Sequence, residues 1–155
     1  MRVFDPSFYD SLAARAAASP RRRLNFNLHD DNDYPCHRIF NAVQPDSYIP
    51  VHRHLAPEKD ESVVVVRGLF GFAEFDDTGT PVATHVLSPG MAIDIPHGSW
   101  HTCVALAPGS VFFETKAGPF IPRTPEELAP FFPPESSPDA PAALARLRAL
   151  FPESP

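Results

Sequence analysis

Apolar positions recur along this chain in two rhythms. Over residues 6–18 they follow a helical repeat: Phe8, Leu12 and Ala16 share a face, Ser7 and Asp10 stand at capping-box spacing, and Pro20 ends the pattern. The stretch RRRLNFNLHDDNDYPCHR that follows has no clear period. From Ile39 to Lys116 the rhythm is β throughout. IFNAV, SYIPVHRH, SVVVVRG, LFGFAEF, TPVATHVL, MAIDIP, SWHTCVAL and SVFFETK read as strands, with turns at QPD, Gly68, DDTG and SPG. Seven or eight short strands with no helix between them predict a small antiparallel barrel or jelly roll, not a parallel α/β sheet. Beyond Lys116 a proline-rich arm is expected to lie over the barrel through Phe120, Phe131 and Phe132. It leads into a last helix from about Pro141 to Phe151, capped by Asp139, with Leu144, Leu147 and Phe151 on one face.

Composition narrows this picture. A chain of 155 residues, 43% apolar, suits one domain with one core. We read residues 1–24 as helix and linker, 38–116 as barrel, and 117–155 as arm and helix. A net charge of −6 argues against a nucleic-acid surface, and the Arg21–Arg23 run reads as a solvated linker. Cys36 and Cys103 are too few for a disulfide scaffold. No stretch is apolar enough to span a bilayer, and the first ten residues lack a signal-peptide core, so a cytoplasmic protein is expected.

The histidines carry the chemistry. In an extended chain residues two apart face the same way, so His52 and His54 project together, with Tyr48 on their parity. Two such imidazoles, a third and a carboxylate can ligate a divalent metal. HxH alone is equally consistent with surface histidines on an edge strand. GMAIDIPHGSWH at 90–101 shifts the balance: Gly90 opens a strand, Pro96 ends it, Gly98 turns, and His101 returns over the sheet.

These two stretches resemble the paired motifs of the cupin superfamily, Gly-x5-His-x-His-x3-4-Glu-x6-Gly and Gly-x5-Pro-x-Gly-x2-His-x3-Asn. Gly90, Pro96, Gly98 and His101 match the second, with Ala105 in place of the Asn. His52, His54 and Gly68 match the first, with Asp46 or Ser47 in place of the opening Gly. Glu58 stands at the motif distance after His54, and Glu61 at the motif distance before Gly68. Because Glu61 leads directly into the valine strand, register favours it as ligand, and Glu58 is kept as a substrate-facing group. The resemblance implies one divalent ion (Fe, Mn, Ni, Co or Zn) on His52, His54, Glu61 and His101. It also implies a homodimer through sheet edges.

NFNLH, CHRIFNAVQPDSYIPVHRH, PEKDE, IPHGSWHTCVAL and FFETKAGPF are further similar to the WbuC family of cupin-fold metalloproteins, over roughly residues 20–135. That family is associated with surface-polysaccharide synthesis, which implies a small polar or sugar-like ligand. Tyr48, Glu58 or His29 is the candidate proton mover, Arg38 a candidate clamp for an anionic group, and His29 also a candidate to close over the site. Glu114 and Lys116 share a strand face with Phe112; they either pair inside the barrel or face solvent. Cys103 is read first as a small core residue. Metal-assisted isomerisation or epimerisation, Fe(II)-dependent dioxygenation and non-catalytic small-molecule binding or sensing all fit this set.

Overall fold

A computed structural model describes residues 1–151. Among them, the chain forms α1 (Pro6–Ala18), β1 (Arg23–Asn27), β2 (Cys36–Val43), β3 (Glu61–Arg67), β4 (Phe70–Phe75), β5 (Pro81–Leu87), β6 (Ala92–Ile95), β7 (Trp100–Ala105), β8 (Ser110–Ala117), a 3-10 turn (Pro125–Glu127) and α2 (Ala140–Arg148). All strand pairs are antiparallel. One sheet has the order β1-β2-β8-β3-β6, the other β5-β4-β7. The expected jelly roll with a helix at each end is therefore the observed fold.

The number of strands is as predicted, but one strand is misplaced. SYIPVHRH is not a strand: only His52 makes ladder contacts, to His101 and Leu128. Pro50 removes a donor there, which suits an irregular crossing better than a ladder. In its place β1 forms from the stretch without a period. Leu24 and Phe26 pack towards α1, while Arg23, Asn25 and Asn27 border the cavity, both asparagines remaining exposed.

Three apolar clusters hold the layers. Between the sheets lie Val63, Val65, Phe70, Phe72, Cys103 and Phe112. In β3 the alternation is clean: Glu61, Val63 and Val65 are buried, Ser62 and Val64 exposed, so only half of the VVVV run is core. Outside the large sheet, Leu12 and Ala16 of α1 cover Phe40, Ala42 and Val111. Asp5, not Ser7, caps α1, its carboxylate accepting from Phe8 N–H at 3.1 Å.

Outside the small sheet, α2 and the arm cover Trp100 and Val104 through Leu144, Leu147, Phe132 and Phe151. This is why β7 is buried on both faces. Asp139 occupies the cap position of α2 but makes no side-chain capping bond. The arm is also tied back by charge: Arg21 and Arg23 both clasp Glu135, with closest contacts of 3.0 and 2.7 Å, so the arginine run is a clasp between chain ends and not a free linker.

Gly68 adopts φ +77°, and a side chain on it would strike Ser110, which accounts for glycine between β3 and β4.

Leu147 is fully buried against β7, so Leu147→Ala should cost about 2–5 kcal/mol. A lower urea midpoint at unchanged slope checks this; an unchanged midpoint would mean that α2 is dispensable.

Candidate metal centre

Two backbone hydrogen bonds bring the halves of the site together. His52 N–H donates to His101 O at 3.0 Å, and His101 N–H donates to His52 O at 2.8 Å. The same local arrangement recurs at each residue. His52 Nδ1 lies 2.9 Å from Pro50 O, and His101 Nδ1 lies 2.9 Å from Ser99 O. A carbonyl only accepts, so each Nδ1 carries the proton and each Nε2 is left as a lone-pair donor. Anchoring of this kind is how ligating imidazoles are oriented.

His54 follows from the connecting segment, and Glu61 opens β3 with its side chain turned inwards. One ligand atom from each of His52, His54, Glu61 and His101 falls within 4.8 Å of all the others. His54 Nε2 lies 2.9 Å from Glu61 Oε1, and His101 Nε2 lies 3.3 Å from Glu61 Oε2. Neither buried nitrogen completes a hydrogen bond. Orphaned imidazole nitrogens around one carboxylate fit a divalent cation: three nitrogens and an oxygen are an ordinary donor set for Fe, Mn, Ni, Co or Zn. Glu61, not Glu58, belongs to the cluster.

Burial opposes charge throughout. It holds His52 well below the usual imidazole range, helped by its neighbour His101. Burial would also raise Glu61, but the Lys116 ammonium beside its carboxylate opposes this, and the carboxyl is held well below its usual range. Lys116 Nζ lies 2.6 Å from both Glu61 and Glu114, and Asn41 Nδ2 donates to Glu114 at 3.0 Å. Glu114 and Lys116 therefore pair inside the barrel, the first of the two arrangements expected.

His52, Glu61 and His101 line a cavity of about 450 Å³, whose walls also include His29, His37, Asn41, Cys103, Glu114, Lys116 and Arg123. Several sequence expectations fail here. Tyr48 is buried in the outer cluster and donates to Pro133 O at 2.8 Å, away from the cavity; burial pushes its hydroxyl up to about 12. Tyr48 left the parity of His52 because the 48–54 segment is not a strand. Arg38 alternates with His37 and Asn41 on β2, lies over the Tyr34 ring and does not line the cavity. Glu58 is exposed in the loop before β3. His29 does reach the cavity, as expected. Cys103 belongs to the inter-sheet core, as expected, and also lines the cavity; burial pushes its thiol up to about 12, which disfavours a thiolate. Cys36 is exposed.

Sequence reasoning passed over His37 and Arg123. The parity of His37 with Asn41 on β2 could have exposed the first. Nothing periodic announces Arg123, which sits in the proline-rich arm.

His101→Ala should remove most bound metal from purified protein, whereas Glu58→Gln should leave it unchanged; elemental analysis of both checks the ligand set. Lys116→Met strands two buried carboxylates and should cost about 3–5 kcal/mol. Added divalent metal should recover part of that loss, read from denaturation midpoints with and without metal.

No helix of the described residues is long and apolar enough to cross a membrane. Solved structures of the same shape include KdgF from Halomonas sp., 23% identical, with a TM-score of 0.51 over 68% of this chain and 84% of that one. A cupin superfamily protein from Desulfitobacterium hafniense is 11% identical, with a TM-score of 0.53 over 68% and 86%. An oxalate oxidase is 17% identical, with a TM-score of 0.51 over 65% and 53%. These likenesses establish a cupin fold. No curated protein matches the sequence. The profile described as "Domain of unknown function (DUF6016)" matches residues 4–87, more than half of the 155, and the chain belongs to that family.

Proposed function

We propose that this protein is a metal-dependent cupin that takes a small polar, sugar-like molecule into the barrel and moves a proton on it, as an isomerase or epimerase does. One observation carries the reading: His52, Glu61 and His101 of the cluster line a cavity of about 450 Å³ whose other walls set His29, Asn41, Glu114, Lys116 and Arg123 among apolar side chains. A divalent ion held by these four side chains would polarise a carbonyl or hydroxyl oxygen of the ligand. The chain's own part is to orient and to handle the proton. Glu114 and His29 face the cavity; Glu114 replaces Tyr48 and Glu58 as the proton-handling group in reach, and His29 orients the ligand. Lys116 stays protonated: burial would lower it, but Glu114 and Glu61 raise it. It holds Glu61 in place.

The similarity of residues 20–135 to the WbuC family supports placing this activity in surface-polysaccharide metabolism, with a homodimer as the working form. A second reading has a specific observation behind it. Three of the expected functional residues, Tyr48, Arg38 and Glu58, lie outside the cavity, which favours a cupin that binds or senses its ligand without turnover.

Elemental analysis of tag-free protein purified without chelator, as wild type and His54→Ala, is the first test. We expect about one Fe, Mn, Ni, Co or Zn per chain, lost in the variant. Mn or Zn directs screening to isomerase assays on sugar nucleotides; Fe directs it to oxygen uptake and the dioxygenase alternative. No metal in either protein after anaerobic reconstitution would sink the reading.

A further inference from the structure

Away from the metal cluster, the cavity wall carries polar groups that the cluster leaves free. His29 and His37 are both buried, with rings stacked 4.1 Å apart and 4° from parallel. Each ring commits one nitrogen to the backbone. His29 Nδ1 accepts the Arg38 N–H at 3.2 Å, so the neutral ring carries its proton on Nε2. His37 Nε2 faces Asn32 O at 3.1 Å, which leaves Nδ1 as an acceptor. The stack thus offers a donor and an acceptor that the backbone has already assigned.

The same Asn32 carbonyl accepts the Phe120 N–H at 2.7 Å, so the arm leaving β8 is tied to the His37 station. Lys59 Nζ grips the arm from the other side, at Ala117 O (2.7 Å) and Pro119 O (2.6 Å). Gly118 permits this passage: a side chain there would strike Tyr34 O and His37 Nε2. The arm so held brings Phe120 and Arg123 into the cavity lining.

Arg123 differs from the other basic side chains of that lining. Arg21, Arg23 and Lys116 are each paired with a carboxylate, whereas Arg123 has none within 4.0 Å among the described residues. The cavity acids Glu61 and Glu114 are already matched in charge by Lys116 and Arg123. A divalent ion on the cluster would therefore leave the cavity positive, with a free guanidinium fork suited to two carboxylate oxygens.

We propose that Arg123 and the His29 Nε2–H form a carboxylate-binding station, and that the ligand is a small polyhydroxy acid. Its carboxylate sits at this station and its hydroxyl end faces His52, His54, Glu61 and His101. This inference rests on the metal-dependent reading above and narrows its ligand from a sugar-like molecule to a sugar acid.

The test uses gluconate and sorbitol, which differ only in a carboxylate against a hydroxymethyl group. Both are titrated calorimetrically into metal-loaded wild type, Arg123→Gln, Arg123→Lys and His29→Gln, with metal content measured on every sample. We expect wild type to prefer gluconate by about tenfold or more. Arg123→Gln should abolish that preference with metal content unchanged, Arg123→Lys should restore part of it, and His29→Gln should weaken it. Arg123 is exposed, so its loss spares the fold. Equal binding of the two probes, no binding of either, or a preference that survives Arg123→Gln would overturn the station. A wild type that takes up no metal would instead sink the metal reading, and titrating that metal-free protein would then decide the station by itself.

Discussion

The polar network inside this barrel answers to the buried carboxylate of Glu61. Glu61 is only 5% exposed, and an isolated carboxylate at that depth costs on the order of several kcal/mol. It survives because the Lys116 ammonium lies 2.6 Å away, with the imidazoles of His54 and His101 alongside. Each of those groups then needs its own support. Lys116 recruits Glu114, Glu114 recruits Asn41, and His101 leans on Ser99 O. The polar network radiates from Glu61, and the cavity is the space that this network prevents apolar side chains from filling.

A polar interior leaves less apolar surface to stabilise the fold, and the chain places the difference outside. α1 with its phenylalanines covers one sheet, α2 and the arm cover the other, and the Arg21–Arg23 clasp on Glu135 joins the two ends. Two of the three apolar clusters therefore lie on the outer faces of the barrel. Such a division leaves room for polar groups inside, with cohesion shared between the inter-sheet cluster and the two outer layers.

What the sequence disclosed follows the same division. Alternating segments from Ile39 onwards, the glycines at 68, 90 and 98, and the HxH pair are local patterns, and local patterns are readable. β1 was hidden because its two apolar positions, Leu24 and Phe26, stand in a polar stretch too short to show a period, and tertiary packing against α1 covers them. Tyr48 was misplaced because parity holds only within a strand, and the chain at 48–54 crosses irregularly, with only His52 bridging to other segments. Arg123 lies in a segment whose prolines erase any period; its position depends on Lys59 and Asn32, far away in sequence, and no local reading reaches it.

The paired hydrogen bonds between His52 and His101 carry a consequence for how an ion would enter. Structural metal sites in small domains commonly assemble only as the metal arrives, and binding then has to supply the ordering of the chain. Here two ligand-bearing segments are joined by their own backbones, and their imidazoles are turned by Pro50 O and Ser99 O. Two of the four donors are thus oriented by the chain's own hydrogen bonds, so the ordering that ion binding would have to supply falls mainly on the other two.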